Sequence, residues 1–346
     1  MKSIIDKLEK HHILTKEEFV QLIQDHTSDD AAYLFERARA MRQQHFGTSV
    51  YLRGLIEISS YCHNDCLYCG IRHSNPSAER YRLSDEQILS CCSQGYQLGF
   101  RTFVLQGGED SHFTDERLTK LITTIKKQYS DCAVTLSLGE RKRDSYQKLF
   151  DAGADRYLLR HETANKIHYE KLHPNWMSYD KRMQCLQDLK EIGYQVGTGF
   201  MVGSPFQTAE HLAEDLLFIA HFRPQMVGIG PFIPHHATPF ANESAGTVEQ
   251  TVFLLGLLRV MMPELLLPAT TALGTLAPHG REAGLLAGAN VIMPNLSPAD
   301  ERSKYMIYDN KLSTGAESAE GIAELNNIIQ SVGYHVEQSR GDAPKH

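Results

Sequence analysis

The sequence predicts an α/β protein built as a complete (β/α)8 barrel of the TIM type, with a helical extension at its N-terminus. Short apolar or β-branched runs alternate with amphipathic helical stretches from residue 50 onward, and eight such runs occur. The chain has 346 residues, a length that one barrel domain can occupy. Eight alternating units favour a closed barrel over an open doubly wound sheet, whose strand count is usually lower.

The N-terminal extension is predicted over residues 1–48. Ile4, Ile5 and Leu8 recur at spacings of one, three and four, which places them on one face of a helix. Residues 49–346 are predicted to form the barrel and a C-terminal cap. The sequence shows no internal repeat, low-complexity tract or second domain.

The barrel is predicted from eight candidate strands. In chain order they are 50–59, 102–107, 133–138, 156–160, 195–203, 226–230, 266–272 and 290–295. Helix signals separate them, because Ser84 with Gln87 fits a capping box and Thr114 precedes an apolar face that begins at Leu118. In such a barrel the chemistry lies at the C-terminal ends of the strands, which tests each motif found along the chain.

Composition excludes several kinds of partner. There are 35 Lys and Arg residues against 42 Asp and Glu, so the formal charge of -7 favours no attraction to nucleic acid. The N-terminus mixes acids and bases and lacks the apolar core of a signal peptide. The most apolar segment, 251–270, is interrupted by Arg259, Pro263 and Glu264, which excludes a membrane span. We therefore expect a cytoplasmic protein with no nucleic-acid or membrane partner.

Three of the seven cysteines, Cys62, Cys66 and Cys69, lie within eight residues directly after the first predicted strand. In a reducing compartment such a group indicates metal binding or redox chemistry. Three thiolates do not complete a structural zinc site, but they can hold three irons of a 4Fe–4S cluster and leave the fourth iron open. The alternatives are a zinc knuckle completed by His63 or His73, and thiols that are merely neighbours.

The spacing Cys-x3-Cys-x2-Cys, with the aromatic Tyr68 before the last cysteine, resembles the radical S-adenosylmethionine (SAM) superfamily. Gly107, Gly108 and Glu109 end the second predicted strand and resemble the motif with which that superfamily holds the methionine amine of SAM. Two glycines let the backbone approach a ligand, and a carboxylate accepts hydrogen bonds from an ammonium. The resemblance implies that the cluster reductively cleaves SAM to a 5′-deoxyadenosyl radical.

Polar residues lie at the ends of several other predicted strands, which indicates a polar cavity of amino-acid size. They are Ser137, Glu140, Arg160, His161, Glu162, Thr163, Thr270, Thr271 and Asn295. These segments, together with "MVGIGPFIPH" and "YRLSDEQI", closely resemble the HydE family of radical SAM enzymes, which help to build the active site of FeFe-hydrogenase. The resemblance extends from about residue 50 to about residue 310.

The HydE resemblance implies a role for individual residues. SAM would be held by Tyr68, Gly107, Gly108, Glu109, Ser137, Glu162 and Arg182. The amino-acid part of the substrate would be gripped by Arg160, Thr270 and Thr271, with the arginine donating to a carboxylate. The cavity would be lined by Met201, Met226, Met293, Tyr305 and Tyr308. From the sequence alone, methionines and tyrosines are equally expected as packing residues, and an arginine in a predicted helix, such as Arg182, is expected in an exposed salt bridge.

The same resemblance implies the cofactors and partners. The cofactors are one 4Fe–4S cluster and SAM, and the substrate is a cysteine-bound iron carbonyl cyanide complex. The partners are the tyrosine-cleaving maturase that makes this complex, a GTPase scaffold that receives the product, and a ferredoxin or flavodoxin as electron donor. Two alternatives stay open: a related radical SAM enzyme acting on an amino acid, as methylornithine synthase does, and a non-catalytic iron–sulfur protein.

One feature departs from some members of the family, which bind a second cluster through cysteines near the C-terminus. No cysteine follows Cys185 in this sequence, so we predict a single cluster. Four cysteines outside the motif are predicted to be small packing side chains: Cys91, Cys92, Cys132 and Cys185. The pairs His11-His12 and His235-His236 lack the spacing of a metal site, and we expect them to be solvated.

Overall fold

The structure, a computed structural model, describes residues 1–344. Its strands are β1 (Ser49–Leu52), β2 (Gly54–Ser59), β3 (Thr102–Gly107), β4 (Ala133–Ser137), β5 (Arg156–Leu158), β6 (Gln195–Thr198), β7 (Met201–Val202), β8 (Met226–Val227), β9 (Gly230–Pro231), β10 (Val291–Ile292) and β11 (His335–Glu337). Its α-helices are α1 (Lys2–His11), α2 (Lys16–Asp25), α3 (Ser28–Phe46), α4 (Asp85–Gln97), α5 (Asp115–Gln128), α6 (Arg143–Asp151), α7 (Lys166–Leu172), α8 (Tyr179–Ile192), α9 (Ala209–Phe222), α10 (Val248–Met261), α11 (Thr271–Leu276), α12 (Gly280–Leu286), α13 (Ala299–Arg302) and α14 (Ile322–Ser331). Short 3-10 helices span Gly315–Glu317 and Ala319–Gly321.

The strands close into the predicted barrel. Six of them run in the parallel order β2-β3-β4-β5-β6-β8, and β1, which leads into β2, pairs with β10. The seventh position is held by single parallel bridges that join Met226 to Leu266 and Pro268 to Val291. The ladder therefore returns to its first strand, and the predicted complete (β/α)8 barrel is confirmed.

The seventh predicted strand, 266–272, is shorter than expected. Its pairing ends at Pro268, which has no N–H group to donate to a ladder. Thr270 is already the extended N-cap residue of α11, which begins at Thr271. The last residues of the predicted strand therefore belong to a helix start instead.

Three other predicted strands are each divided in two. The run 50–59 forms β1 and β2, the run 195–203 forms β6 and β7, and the run 226–230 continues from β8 towards β9. At the second break a Cβ on Gly199 would lie 1.9 Å from the carbonyl oxygen of Gly228. The two backbone segments thus approach each other so closely that only glycine fits, and the regular strand ladder is interrupted there.

The N-terminal helices pack on the outside of the barrel, α2 against α9 and α3 against α10. Capping boxes at Thr15 and Thr27 begin α2 and α3, and the capping box predicted at Ser84 is confirmed at the start of α4. Most buried apolar side chains of α1–α3 belong to the same hydrophobic core as the barrel. The division of the chain after residue 48 stays a prediction. The last two residues of the predicted barrel range, 345 and 346, lie outside the described residues.

The C-terminal part of the chain contributes to both ends of the barrel. Tyr305, Tyr308 and Lys311 line the cavity at the C-terminal ends of the strands. At the opposite end, β11 pairs with β1, and Asp342 Oδ1 accepts a hydrogen bond of 2.5 Å from Arg156 Nη2. The chain thus closes the lower end of the barrel and covers part of the upper end.

The most apolar segment is part of the core. Its first half lies in α10, whose residues are buried from Thr251 to Met261. Across residues 1–344, no helix combines the length and the apolar character that crossing a bilayer requires.

Candidate active site

The cysteine loop follows β2, at the C-terminal end of the first barrel strand, as predicted. Cys62, Cys66 and Cys69 are partly buried and unbridged. The backbone turns tightly between the last two, since Cys69 N–H donates to the Cys66 carbonyl at 3.3 Å. The thiol of Cys66 lies 3.7 Å from Met177 Sδ, which shields it from one side. Burial raises the pKa of the Cys69 thiol to about 12, so this thiol is neutral unless a cation compensates its charge.

The three thiols do not converge on a single ion. In the part of the chain that the structure describes, His235, His236 and Asp309 form the one group of three potential ligands whose ligand atoms all lie within 4.8 Å of one another. Thiolates bound to one tetrahedral zinc, with Zn–S bonds of about 2.3 Å, would lie about 3.8 Å apart. A 4Fe–4S cluster spreads its ligands over separate iron corners. The donor set therefore fits such a cluster and does not fit the zinc knuckle.

The Gly-Gly-Glu segment after β3 packs directly against the cysteine loop. Glu109 N–H points to Cys62 Sγ at 3.4 Å, and His63 N–H donates to the Glu109 carbonyl at 3.0 Å. A Cβ on Gly108 would lie 2.3 Å from the carbonyl oxygen of Tyr61 and 2.6 Å from Cys62 Cβ. This close approach requires glycine, which explains the motif in physical terms.

Gly108→Ala is expected to displace the cysteine loop, because the added methyl group overlaps the Tyr61 backbone. We expect the iron content after anaerobic reconstitution to fall severalfold, while the far-ultraviolet circular dichroism stays native because the loop lies outside the strand ladder. Gly274→Ala is the matched control, since a Cβ there meets its nearest atom at 3.6 Å. Equal iron loading in both variants would contradict this packing argument.

The Glu109 carboxylate is fixed in place by its neighbours. Its Oε1 accepts a hydrogen bond from Glu140 N–H at 3.0 Å, and its Oε2 lies 3.5 Å from His63 Nε2. Gly139 has a φ of 72° and would drive a Cβ into this side chain. Burial raises the pKa of Glu109 above its usual value. A bound ammonium would offset this burial, so the site can hold an amine.

A cavity of about 360 Å³ lies at the C-terminal ends of the strands, beside the cysteine loop. This volume is in the range of small-molecule sites. The structure brings most of the predicted site residues together around it: Tyr68, Cys69, Gly107, Ser137, Arg160, Glu162, Arg182, Met201, Thr270, Thr271, Met293, Tyr305 and Tyr308.

Two charged side chains in this cavity have unused hydrogen-bonding capacity. Arg160 Nη2 lies 3.0 Å from Glu162 Oε2. Within residues 1–344, however, neither atom makes an aligned hydrogen bond, and Arg160 Nε makes none either. Glu162 has a φ of 65°, a strained conformation for a residue with a side chain. The strained backbone at Glu162 therefore costs conformational energy, and the polar atoms of the pair remain available to a ligand.

The expectation that Arg182 forms an exposed salt bridge is wrong. Its side chain is 7% exposed, and its Nε donates to Glu140 Oε1 at 2.7 Å. Its Nη1 donates to the Arg160 carbonyl at 2.6 Å. Helix α8 turns this residue towards the barrel, so Arg182 orders the strand end that carries Arg160. Glu140 thus supports the site by holding Arg182 in place. Its position just after β4 was the only indication of this role in the sequence.

The two threonines before and in α11 differ in their contacts. Thr270 Oγ1 is buried and has no hydrogen-bond partner among the described residues. Thr271 Oγ1 donates to Glu317 Oε2 at 2.7 Å, and Glu317 in turn pairs with Arg281. The unsatisfied hydroxyl of Thr270 is thus the better candidate for a ligand contact.

Met226 does not line the cavity, so the prediction for this residue is corrected. It lies at the start of β8, near the opposite end of the barrel, and packs with Phe46, Leu266 and Val291. Its sulfur accepts a hydrogen bond of 2.7 Å from the buried Arg53. A residue that begins a barrel strand faces the lower end, whereas the ends of the strands form the site.

Two of the charged residues that line the cavity are not among the site residues that the sequence predicts. Glu57 in β2 is fully buried, and Lys311 comes from the C-terminal segment that covers the barrel. Their contact joins residues 254 positions apart, which no local pattern indicates. The charged residue inside the apolar run "GLIEIS" was the only available signal.

The remaining predictions concern histidines and cysteines outside the motif. His236 is exposed as expected, but His235 is buried, so the expectation of solvation is wrong for that residue. His235 Nδ1 accepts a hydrogen bond from Ala237 N–H at 3.1 Å, which leaves the ring proton on Nε2 and no lone pair there for a metal beside Asp309. The other four cysteines are buried, as expected: Cys91, Cys92, Cys132 and Cys185.

Comparison with known proteins agrees with this geometry. Residues 56–219 match the family model of the radical SAM superfamily. The FeFe hydrogenase maturase subunit HydE of Thermotoga maritima is 42% identical over 332 residues, 96% of this chain and 94% of that protein. The 3-methylornithine synthase of Methanosarcina barkeri is 28% identical over 312 residues, 90% of this chain and 87% of that protein. The crystal structure of methylornithine synthase (PylB) superposes with a TM-score of 0.86 at 26% identity, covering 97% of this chain and 98% of the other.

Proposed function

The chain belongs to the HydE family of radical SAM enzymes, and on that premise we propose that it builds the diiron subcluster of an FeFe-hydrogenase. The proposed substrate is a cysteine-bound iron complex with carbonyl and cyanide ligands. One observation carries the proposal: a single cavity joins the cysteine loop, through Cys69, to polar atoms of Arg160 and Thr270 that make no hydrogen bond within residues 1–344. A radical precursor and an amino-acid-like substrate could therefore meet in this cavity.

Most of the residues that would hold the cofactors lie at the C-terminal ends of β2, β3 and β4. Cys62, Cys66 and Cys69 would ligate one 4Fe–4S cluster. Glu109 would accept hydrogen bonds from the SAM amine, and the other proposed SAM contacts are Tyr68, Gly107, Gly108, Ser137, Glu162 and Arg182. When bound together, the cluster and SAM supply a 5′-deoxyadenosyl radical by one-electron cleavage of the S–C5′ bond.

The amino-acid part of the substrate would be held in the same cavity. Arg160 offers two nitrogen atoms without aligned partners to a carboxylate, and Thr270 offers a hydroxyl. In the proposed reaction the adenosyl C5′ bonds to the sulfur of the substrate cysteine while the bond between that sulfur and the substrate iron breaks, and the unpaired electron of the radical passes to that iron, which is reduced by one electron. Tyr305, which is 3% exposed, and Tyr308 cover the cavity and would keep water from the reacting atoms.

Thr270→Val should weaken substrate binding without a loss of stability. The change removes a hydroxyl that has no partner in the described part of the protein, whereas Thr271→Val breaks the hydrogen bond to Glu317. We expect Thr270→Val to cost about 1–2 kcal/mol of substrate affinity, roughly 5- to 30-fold. Calorimetry of substrate binding and denaturant unfolding measure the two effects. Unchanged affinity for the substrate together with weakened binding of SAM would reverse the assignment of Thr270.

Reconstituted maturation tests the proposed function as a whole. Apo-hydrogenase is incubated anaerobically with the tyrosine-cleaving maturase, the GTPase scaffold and reduced ferredoxin or flavodoxin, with and without this protein. Hydrogen evolution is expected only when this protein is present, and the cysteine-loop variant Cys66→Ser is expected not to replace it. Equal activation in all three mixtures would reject the proposal.

A second candidate is an amino-acid mutase, favoured by the close structural likeness to methylornithine synthase. The same arginine and threonine groups would then hold the carboxylate of a free amino acid. Anaerobic incubation with lysine distinguishes the two candidates, because a mutase would form a branched isomer of lysine and a maturase would leave lysine unchanged. Family membership makes the chain a radical SAM enzyme, so the non-catalytic alternative is set aside.

A further inference from the structure

A buried ion pair forms part of the cavity wall. Lys311 Nζ donates to Glu57 Oε1 at 2.7 Å, and the exposed fractions of the two side chains are 7% and 0%. The other carboxylate oxygen accepts a hydrogen bond of 2.7 Å from Asn295 Nδ2. Both charged residues line the cavity. Both carboxylate oxygens are thus engaged, and one of them holds the ammonium group in place.

The ammonium group has capacity left for a ligand. A lysine carries three N–H donors, and the contact to Glu57 is the one hydrogen bond that Lys311 makes within residues 1–344. A buried ion pair adds little stability compared with well-packed apolar residues. The pair is therefore better explained by a ligand in the cavity than by a need of the fold.

Lys311 and Arg160 approach the cavity from different sides. Glu57, which fixes Lys311, lies in β2, whereas Arg160 follows β5, and the strands β3 and β4 lie between them. Three steps of an eight-position barrel thus separate the two cations. A ligand that satisfies both needs two acceptor groups at opposite ends.

We propose that Lys311, positioned by Glu57, donates a hydrogen bond to the cyanide nitrogen of the iron complex while Arg160 binds the carboxylate of its cysteine. This inference rests on the proposed function. The cyanide nitrogen is the strongest acceptor among the diatomic ligands, because it carries negative charge and a localised lone pair, and an ammonium donor strengthens such a bond. The pair would therefore distinguish the cyanide ligand from the carbonyl ligands and orient the iron.

The test uses the double variant Glu57→Gln/Lys311→Met, because removing one partner alone would leave an uncompensated buried charge. Lys166→Met/Asp180→Asn is the matched control, since it removes an ion pair of the same type from the exposed surface. Lys311→Arg is a second variant, which keeps the charge and changes the donor geometry. The cluster-loaded proteins are mixed anaerobically with the iron complex, and binding is followed by calorimetry and by the infrared bands of cyanide and carbonyl.

We expect the wild type and the control to shift the cyanide band on binding. The double variant should lose that shift and bind the complex roughly 10- to 100-fold more weakly, and Lys311→Arg should move the cyanide band to a third position. If both cavity variants bound the complex with wild-type affinity, and the cyanide band of the bound complex lay where it lies in the wild type, the role of Lys311 would be overturned and the proposed function would stay intact. Failure of the wild-type protein itself to bind the complex would reject the proposed function, and with it this inference.

Discussion

Cys66→Ser is expected to abolish SAM cleavage while the barrel stays folded. Changes to groups that only support metal ligands already cost about 10- to 100-fold, so the loss of a proposed ligand should exceed this. The cysteine loop lies outside the strand ladder that closes the barrel. Loss of one thiol ligand from this loop should therefore leave the ladder intact. Iron analysis, formation of 5′-deoxyadenosine and circular dichroism measure the three consequences.

Cys91→Ser provides the matched control for this experiment. Cys91 is 4% exposed in α4 and takes no part in the cysteine loop. Its replacement should leave the iron content and SAM cleavage close to the wild-type values. SAM cleavage at the native rate by Cys66→Ser would show that the cluster is not held by this loop.

Arg160→Met is expected to have the second largest effect. Removing the arginine leaves the substrate carboxylate without its charged partner and Glu162 without the cation that lies 3.0 Å away. Truncating one partner of a charge pair that becomes buried on binding costs about 2–5 kcal/mol, so affinity for the substrate should fall by roughly 30-fold or more. Calorimetric titration with the iron complex, and separately with SAM, measures the change.

The control for the arginine is Arg143→Met, which removes an exposed guanidinium paired with Asp188 and Glu191. It should bind the substrate as the wild type does. Arg160→Lys should recover only part of the affinity, because an ammonium cannot form the paired hydrogen bonds of a guanidinium. Full substrate affinity in Arg160→Met would contradict the placement of the carboxylate.

The parts of the site that the sequence predicted are those encoded by short contiguous motifs. Cys62, Cys66 and Cys69 lie on one loop, and the close approach at Gly108 explains why two glycines precede Glu109. The barrel was predictable for the same reason, since each strand and each following helix carries its own periodic pattern. Local spacing is sufficient for these features because neighbours in sequence are neighbours in space.

The rest depends on contacts between distant residues. The pair of Glu57 and Lys311 joins β2 to the C-terminal segment, and the buried Arg182 of α8 donates to Glu140, which lies 42 positions earlier in the chain. The prediction for Met226 is wrong although a strand does begin there, because the first residue of a barrel strand faces the end of the barrel opposite to the site. Such errors arise wherever the role of a residue depends on its position along a barrel strand.

The most direct test of the central claim is to follow the adenosyl group of SAM during turnover by the reduced, cluster-loaded protein, with and without the cysteine-bound iron carbonyl cyanide complex. We expect the complex to stimulate cleavage and mass spectrometry to find the adenosyl group attached to the cysteine sulfur. Release of free 5′-deoxyadenosine at a rate indifferent to the complex would contradict the proposed function.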